Sequence, residues 1–293
     1  MSVYLGTEKI SVYTGGVTVK NSGQYVWSKQ ESETGKILEY VIGETETDYP
    51  DGGWKDGFWY VLKLAITPYL SFIGNEDFTL KTGNTTKNWD GTLEYSTDKS
   101  TWNTWNGTEI SSAGSKLYLR GTGNTKITGD SPEYRFVFTG TSALKIACEG
   151  NIENLLDYET VSAGGHPTMA IACYQFMFDG CVSLTIAPEL PATTLAEGCY
   201  QIMFHGCTSL TTAPELPATT LTDYCYSAMF YGCTKIKLST TQTGEYQTAY
   251  RIPISGTGTT ATRALSDMFS STGGTFTGTP SINTTYYTSN TVV

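Results

Sequence analysis

Hydrophobic and polar positions alternate in short bursts over the first 140 residues, then settle into a fixed 26-residue pattern. The opening bursts, Val3–Leu5, Ile10–Tyr13 and Val17–Lys20, are too short for helices. Gly6 and Gly15-Gly16 separate them, so they predict strands joined by tight turns. Tyr25-Val26-Trp27 and Ile37–Ile42 extend the series. Tyr49-Pro50-Asp51-Gly52-Gly53 predicts a turn, because proline presets φ and glycine accepts a positive one.

From 63 to 140 the bursts recur every 8–12 residues or so, with Gly, Asn and Asp between them: Ala65–Phe72, Phe78–Lys81, Thr92–Ser96, Thr101–Trp105, Lys116–Arg120 and Tyr134–Phe138. This spacing predicts a small antiparallel β-sandwich-like domain. Thr97-Asp98-Lys99-Ser100 would turn a hairpin. Trp102 and Trp105 are an odd number apart, so on one strand they face opposite ways, one into the core and one partly exposed. An exposed Trp could stack on a sugar, but a packing role is the preferred reading.

The third zone, 141–293, carries repeats. Residues 177–202 and 203–228 are identical at 18 of 26 positions, and Met229-Phe230-Tyr231-Gly232-Cys233-Thr234 starts a further copy. A period of 20–29 residues with leucines at fixed places is the signature of a leucine-rich-repeat solenoid, whose units must stack to bury their apolar faces. Within a unit, Ser209–Ala213 predicts a strand ended by Pro214. Leu221, Cys225 and Met229 are spaced i, i+4, i+8, which predicts one buried stripe of a short helix stopped by Gly232. Leu144–Cys148 would be a strand and Asn151–Leu156 helical in an irregular opening unit. Ala264–Phe269 echoes the Met-Phe end of a unit but lies 39 residues after its counterpart, implying an insertion of 13 residues. That insertion is expected to hold a hairpin around Tyr246–Ile254, and the tail from Gly273 would cover the end of the stack. The predicted fold class is therefore mixed and β-rich. It comprises an N-terminal β segment (1–62), a sandwich-like domain (63–140) and a C-terminal α/β leucine-rich-repeat solenoid (141–293).

Composition narrows the function. Charged residues make up only 16%, with 31 Gly and 20 Tyr, which favours strands and turns over solvated helices. A net charge of −10 argues against nucleic acid or an anionic membrane as partner. No basic leader followed by an apolar stretch opens the chain and no run of about 18 apolar residues occurs, so neither a secretory signal nor membrane insertion is expected. The cysteines keep the repeat period: Cys173, Cys199 and Cys225 in one series, Cys181, Cys207 and Cys233 in the other, with Cys148 outside both. Seven residues between the members of a pair do not match zinc-ligand spacing, so buried thiols are favoured over a metal site, and disulfides remain conceivable. No catalytic residues, metal or cofactor are expected. Comparing the copies leaves a fixed frame of Leu, Pro, Cys, Met, Phe and Gly and a set of varying polar positions. Asp179, His205 and Tyr231 occupy one slot; Glu197 and Asp223, then Gly198 and Tyr224, occupy others. Varying exposed residues on a rigid frame are candidates for recognition, while drift on an exposed surface is the plainer account of the same variation.

The repeat Leu-Pro-x-x-x-Leu-x-x-x-Cys-Tyr-x-x-Met-Phe-x-Gly-Cys-Thr-x-Leu resembles the BspA-type leucine-rich repeats of gut bacterial surface proteins and of fibre or tail proteins of their phages. The resemblance covers about residues 141–293 and implies a right-handed solenoid used for adhesion. The Tyr-Pro-Asp-Gly-Gly-x-x-Asp-Gly-Phe-Trp-Tyr stretch looks like N-terminal segments of phage tail and fibre proteins. Together these imply a non-enzymatic virion appendage that contacts other virion proteins through its N-terminal region and a host surface glycan or protein through its repeats. A homo-oligomer, preferably a trimer, is expected. A structural decoration of the head or tail and a bacterial surface adhesin are the alternatives.

Overall fold

A computed structural model describes the N-terminal strands as far as Ala65 and then residues 68–289; before Pro68, side chains are described only over 54–58. The chain divides into two compact units, residues 1–68 with 158–166, and residues 69–157 with 167–293.

In the first unit β1 (Ser2–Leu5), β2 (Glu8–Tyr13) and β3 (Gly16–Val17) form an antiparallel three-stranded sheet. Strands β4 (Tyr25–Gln30), β5 (Ile37–Gly43), β6 (Gly53–Lys55) and β7 (Phe58–Ala65) form a second sheet in the order β5-β4-β7-β6. Lys55 pairs with Phe58, so Asp56-Gly57 is a two-residue hairpin loop, and both residues take positive φ (50° and 82°), the mirror-image turn that matches strand twist. The turn expected at Tyr49–Gly52 and the strand residues expected at 18–20 lie outside the described residues.

The second unit opens with β8 (Leu70–Gly74), β9 (Thr79–Thr82), β10 (Thr92–Ser96), β11 (Asn103–Trp105), β12 (Ile110–Ser111), β13 (Lys116–Thr122) and β14 (Phe136–Thr139). One sheet runs β12-β9-β14, and β11-β10-β13-β8 form part of another. Alternating residues point inward as the strand period requires: Leu70 and Phe72, Leu117 and Leu119, Leu80, Leu93 and Phe136 are fully buried or nearly so. Trp105 is buried and stacks on Trp89, with ring centroids 5.1 Å apart. Trp102 is half-exposed, under the Arg120 guanidinium at 4.0 Å, so it packs in a cation–π contact.

The chain enters its repeats without leaving this sheet. Strand β15 (Ile146–Glu149) pairs antiparallel with β8, and β16 (Leu184–Ile186), in the first repeat, joins β15 in parallel. Residues of these two sheets and residues of the repeats belong to one continuous apolar core. A helix, α1 (Asn154–Ser162), is broken at Asp157, whose backbone is extended (φ −156°, ψ 97°).

The repeats are not built from helices. In residues 172–181, Ala172, Phe176 and Gly180 take left-handed φ of 57°, 63° and 72°. The same four-residue rhythm recurs at Gly198, Ile202 and Gly206, at Tyr224, Ala228 and Gly232, and at Arg263, Asp267 and Ser271. An α-helix cannot hold a left-handed residue every fourth position, so the segment forms consecutive tight turns. The backbone N–H groups of Gln175, Met177, Asp179 and Cys181 donate three residues back. Those of Tyr174, Phe176, Phe178 and Gly180 donate to Cys199, Gln201, Met203 and His205 in the next copy. From Tyr174 to Cys181 every backbone donor is thereby satisfied, half of them by the neighbouring copy. A four-residue rhythm also buries Leu221, Cys225 and Met229 on one side, so the expected apolar stripe is present although its expected helix is not.

The aromatic rings record the stacking. Tyr174, Tyr200 and Tyr226 form one column, with centroids 5.5 and 5.9 Å apart. Phe178, Phe204, Phe230 and Phe269 form another, at 5.5, 5.5 and 5.4 Å, with planes 1–12° apart. The final copy docks through Tyr226 N–H to the Ala264 carbonyl and Phe230 N–H to that of Met268, so the 13 extra residues are looped out of the stack. Two expectations need correction. Ser209–Ala213 is not a strand; β16, its counterpart, is one because β15 is there to pair with it. The insertion forms no hairpin either: among β17 (Leu238–Ser239), β18 (Tyr246–Arg251) and β19 (Thr285–Ser289), the sheet order is β17-β19-β18, so the C-terminal strand fills the place a local return strand would take. The tail bonds to the last copy through Phe269 N–H to the Gly278 carbonyl and Asp267 N–H to Thr279 Oγ1.

Candidate functional site

The cysteines lie inside the stack. All seven are free thiols and all are buried. Cys207 donates through Sγ to the Phe178 carbonyl at 3.1 Å, and Cys233 to that of Phe204 at 3.0 Å, each reaching back one copy. Burial pushes the Cys225 thiol up to about 11 and that of Cys233 up to about 12, while Cys173, Cys181, Cys199 and Cys207 are raised by the same desolvation. A thiolate is costly there, so these side chains act as small apolar fillers, with a weak hydrogen bond added at Cys207 and Cys233. Among the described residues no group of three His, Cys, Asp or Glu is arranged to hold a metal, and no helix is long and apolar enough to cross a membrane.

The polar positions that vary between copies form two sets. Asp179, His205 and Tyr231 each precede the left-handed glycine of their copy, and that glycine's N–H, at Gly180 and Gly206, donates to the carbonyl of the next residue in the series at 2.7 Å. This pins the three side chains in one column. His205 Nδ1 lies 2.7 Å from Asp179 Oδ1, and the His205 ring lies 5.4 Å from that of Tyr231, tilted by 36°. Tyr231 is 39% exposed. Glu197, Asp223 and Tyr224 sit two turns earlier in the run. Glu197 is exposed and accepts the Ala172 N–H through its backbone. Asp223 Oδ1 accepts from the Thr262 N–H at 2.9 Å, which ties the final copy on, and Tyr224 lies half-buried 6.0 Å from the Arg263 guanidinium.

The column adjoins a groove of about 340 Å³ between β14, the loop that follows it to Lys145, and the turn from Asp179 to Ser183. Arg135, Lys145 and Val182 line it together with Asp179. Lys145 Nζ donates to Ser209 Oγ at 2.9 Å, reaching across to the second copy. Nothing in the sequence marks Arg135 or Lys145, because the groove is closed by segments some 40 residues apart, brought together by the β8–β15–β16 pairing and by the Phe136 N–H bond to the Met177 carbonyl.

No protein-family model matches the chain, and no curated protein or solved structure matches it. What the geometry defines is a β-rich protein with a stacked, hydrogen-bonded frame and an outward column of an acid, an imidazole and a phenol beside a groove.

Proposed function

We propose that the stacked copies are a short leucine-rich-repeat solenoid of 26-residue period, and that the chain is a non-enzymatic phage virion appendage whose solenoid recognises a host surface. One observation carries the recognition reading: one of the positions that differ between otherwise near-identical copies presents Asp179, His205 and Tyr231 as a single column on a fixed frame. A frame held by a bond from every other residue to its neighbour costs little further ordering when a ligand binds, which is what a recognition surface requires. The resemblance of the repeat and of the N-terminal segment to phage appendage proteins supports the assignment to a virion, with the N-terminal strands as the attachment to other virion proteins.

The test uses the full chain. Host cells pre-incubated with purified protein are expected to adsorb fewer particles, and antibody labelling is expected to mark an appendage on the virion. Labelled protein that neither adheres to host cells nor competes with the particle would remove the recognition role. Labelling confined to the head shell with no competition would favour a structural decoration. Sedimentation of the same preparation is expected to give a trimer.

A further inference from the structure

An acidic chain with net charge −10 places two cations in one groove. The hydrogen bond from Lys145 goes to a hydroxyl, Ser209 Oγ, and that from Arg135 Nη1 goes to the Pro132 carbonyl at 3.2 Å, so neither bond neutralises a charge. Asp179 is the carboxylate in the groove lining, and its Oδ1 is taken by His205. Glu76, behind the loop, is engaged by the N–H and hydroxyl of Thr141. The walls carry hydroxyls from Thr139, Ser142 and Ser183, and Val182 is the strongly exposed aliphatic side chain. The next two members of the column, His205 and Tyr231, continue away from the groove in steps set by the copy spacing of about 5.5 Å.

Resting on the recognition reading above, we propose that the groove and column bind an acidic glycan, pyranose rings bearing a carboxylate or sulfate. Arg135 and Lys145 meet the anionic group, the Asp179–His205 pair meets ring hydroxyls, and Tyr231 lies against the C–H face of a sugar further along. Charge-assisted hydrogen bonds from Arg and Lys supply the discrimination for the anion. A phenol ring offers a flat apolar face with a polar rim, which suits a sugar ring. The groove is at the small end for a ligand site, enough for about one sugar, and the column supplies the contacts beyond it. A peptide is disfavoured because Phe136 and Leu144, among the apolar residues of the lining, are buried in the core and leave little apolar surface to receive an anchoring side chain.

The experiment presents the full chain to arrayed carboxylated and sulfated oligosaccharides, each beside its methyl-esterified or desulfated counterpart, with acidic peptides and whole host cells in parallel. Binding to at least one acidic glycan is expected, at least tenfold weaker for its neutral counterpart. Lys145→Gln, at an exposed position that leaves the fold intact, is expected to abolish that tenfold preference, and Tyr231→Ala to weaken acidic and neutral forms alike. Equal or better binding of the neutral forms overturns the charge assignment. Binding to cells or peptides but to no glycan overturns the glycan proposal while leaving surface recognition standing, and failure to bind cells as well removes both.

Discussion

Single residues in the stack carry energies that can be checked one at a time. Phe204 is fully buried between Phe178 and Phe230 at 5.5 Å on each side, so Phe204→Ala removes two ring contacts and leaves a cavity the rigid neighbours cannot close. A loss of about 3–5 kcal/mol in denaturant unfolding is expected. The thiols make a pH prediction whose sign follows from burial. Cys225 and Cys233 ionise near 9.0 when exposed but are pushed up to about 11 and about 12 in the fold. Between pH 9 and 12 the unfolded chain releases protons that the folded chain keeps, so stability falls as pH rises. It is complete below pH 9 and lost at up to about 1.4 kcal/mol per pH unit per thiol. Melting temperature should therefore decline as pH rises above 9, less steeply in Cys225→Ala/Cys233→Ala; an unchanged slope in that variant would remove the buried-thiol account.

The turn run is the element where sequence and structure part company, and one substitution separates the two. Leu221, Cys225 and Met229 fit a helix and a four-residue turn rhythm equally well, since both bury i, i+4 and i+8 over so short a stretch. The left-handed positions would have decided it, but they are filled by Ala172, Phe176, Ile202, Tyr224 and Ala228 as well as by glycines, and a non-glycine residue gives no sign of positive φ. The stacking of the copies was legible because its period is written in Cys, Tyr, Met, Phe and Gly. The candidate site was legible by half: the column follows from copy comparison, whereas Lys145 is placed by the parallel join of β15 and β16 and Arg135 by the Phe136 N–H bond to the Met177 carbonyl, neither of which a local pattern encodes. Ala228→Gly tests the turn geometry by its sign. In a helix it would cost about 1 kcal/mol. At φ 51° it relieves a left-handed penalty of about 1–2 kcal/mol, offset by about 0.4–1 kcal/mol of unfolded-chain entropy, so a small net gain is expected. Gly206→Ala, at φ 68° with only the Gly180 Cα and N near its new methyl at 3.7 and 3.9 Å, should lose about 1–2 kcal/mol by conformation alone.

At the scale of the second unit, the sheets of β8–β14 and the repeats should unfold as one body. Strand β15 is held between β8 and β16 of the first copy, and Phe136 meets Phe178 edge to face at 6.1 Å at the head of the Phe column. A fragment of residues 141–293 would expose the β15 edge, the face of the first copy that Phe136 covers and the Cys173 carbonyl to which the buried Ile127 donates its N–H, so it is expected not to fold. In the intact chain the two halves carry separate reporters: the Trp89–Trp105 stack lies among the β8–β14 sheets, and Cys199, Cys207, Cys225 and Cys233 lie in the repeats. With Trp27, Trp54 and Trp59 replaced by Phe, so that fluorescence reports on the second unit, tryptophan emission and thiol labelling should give the same midpoint in urea. Phe136→Ala should lower both midpoints equally, although it lies outside every repeat. Thiol exposure at lower urea than the fluorescence change would mean that the stack melts on its own, and that the shared sheet joins the two halves without coupling them.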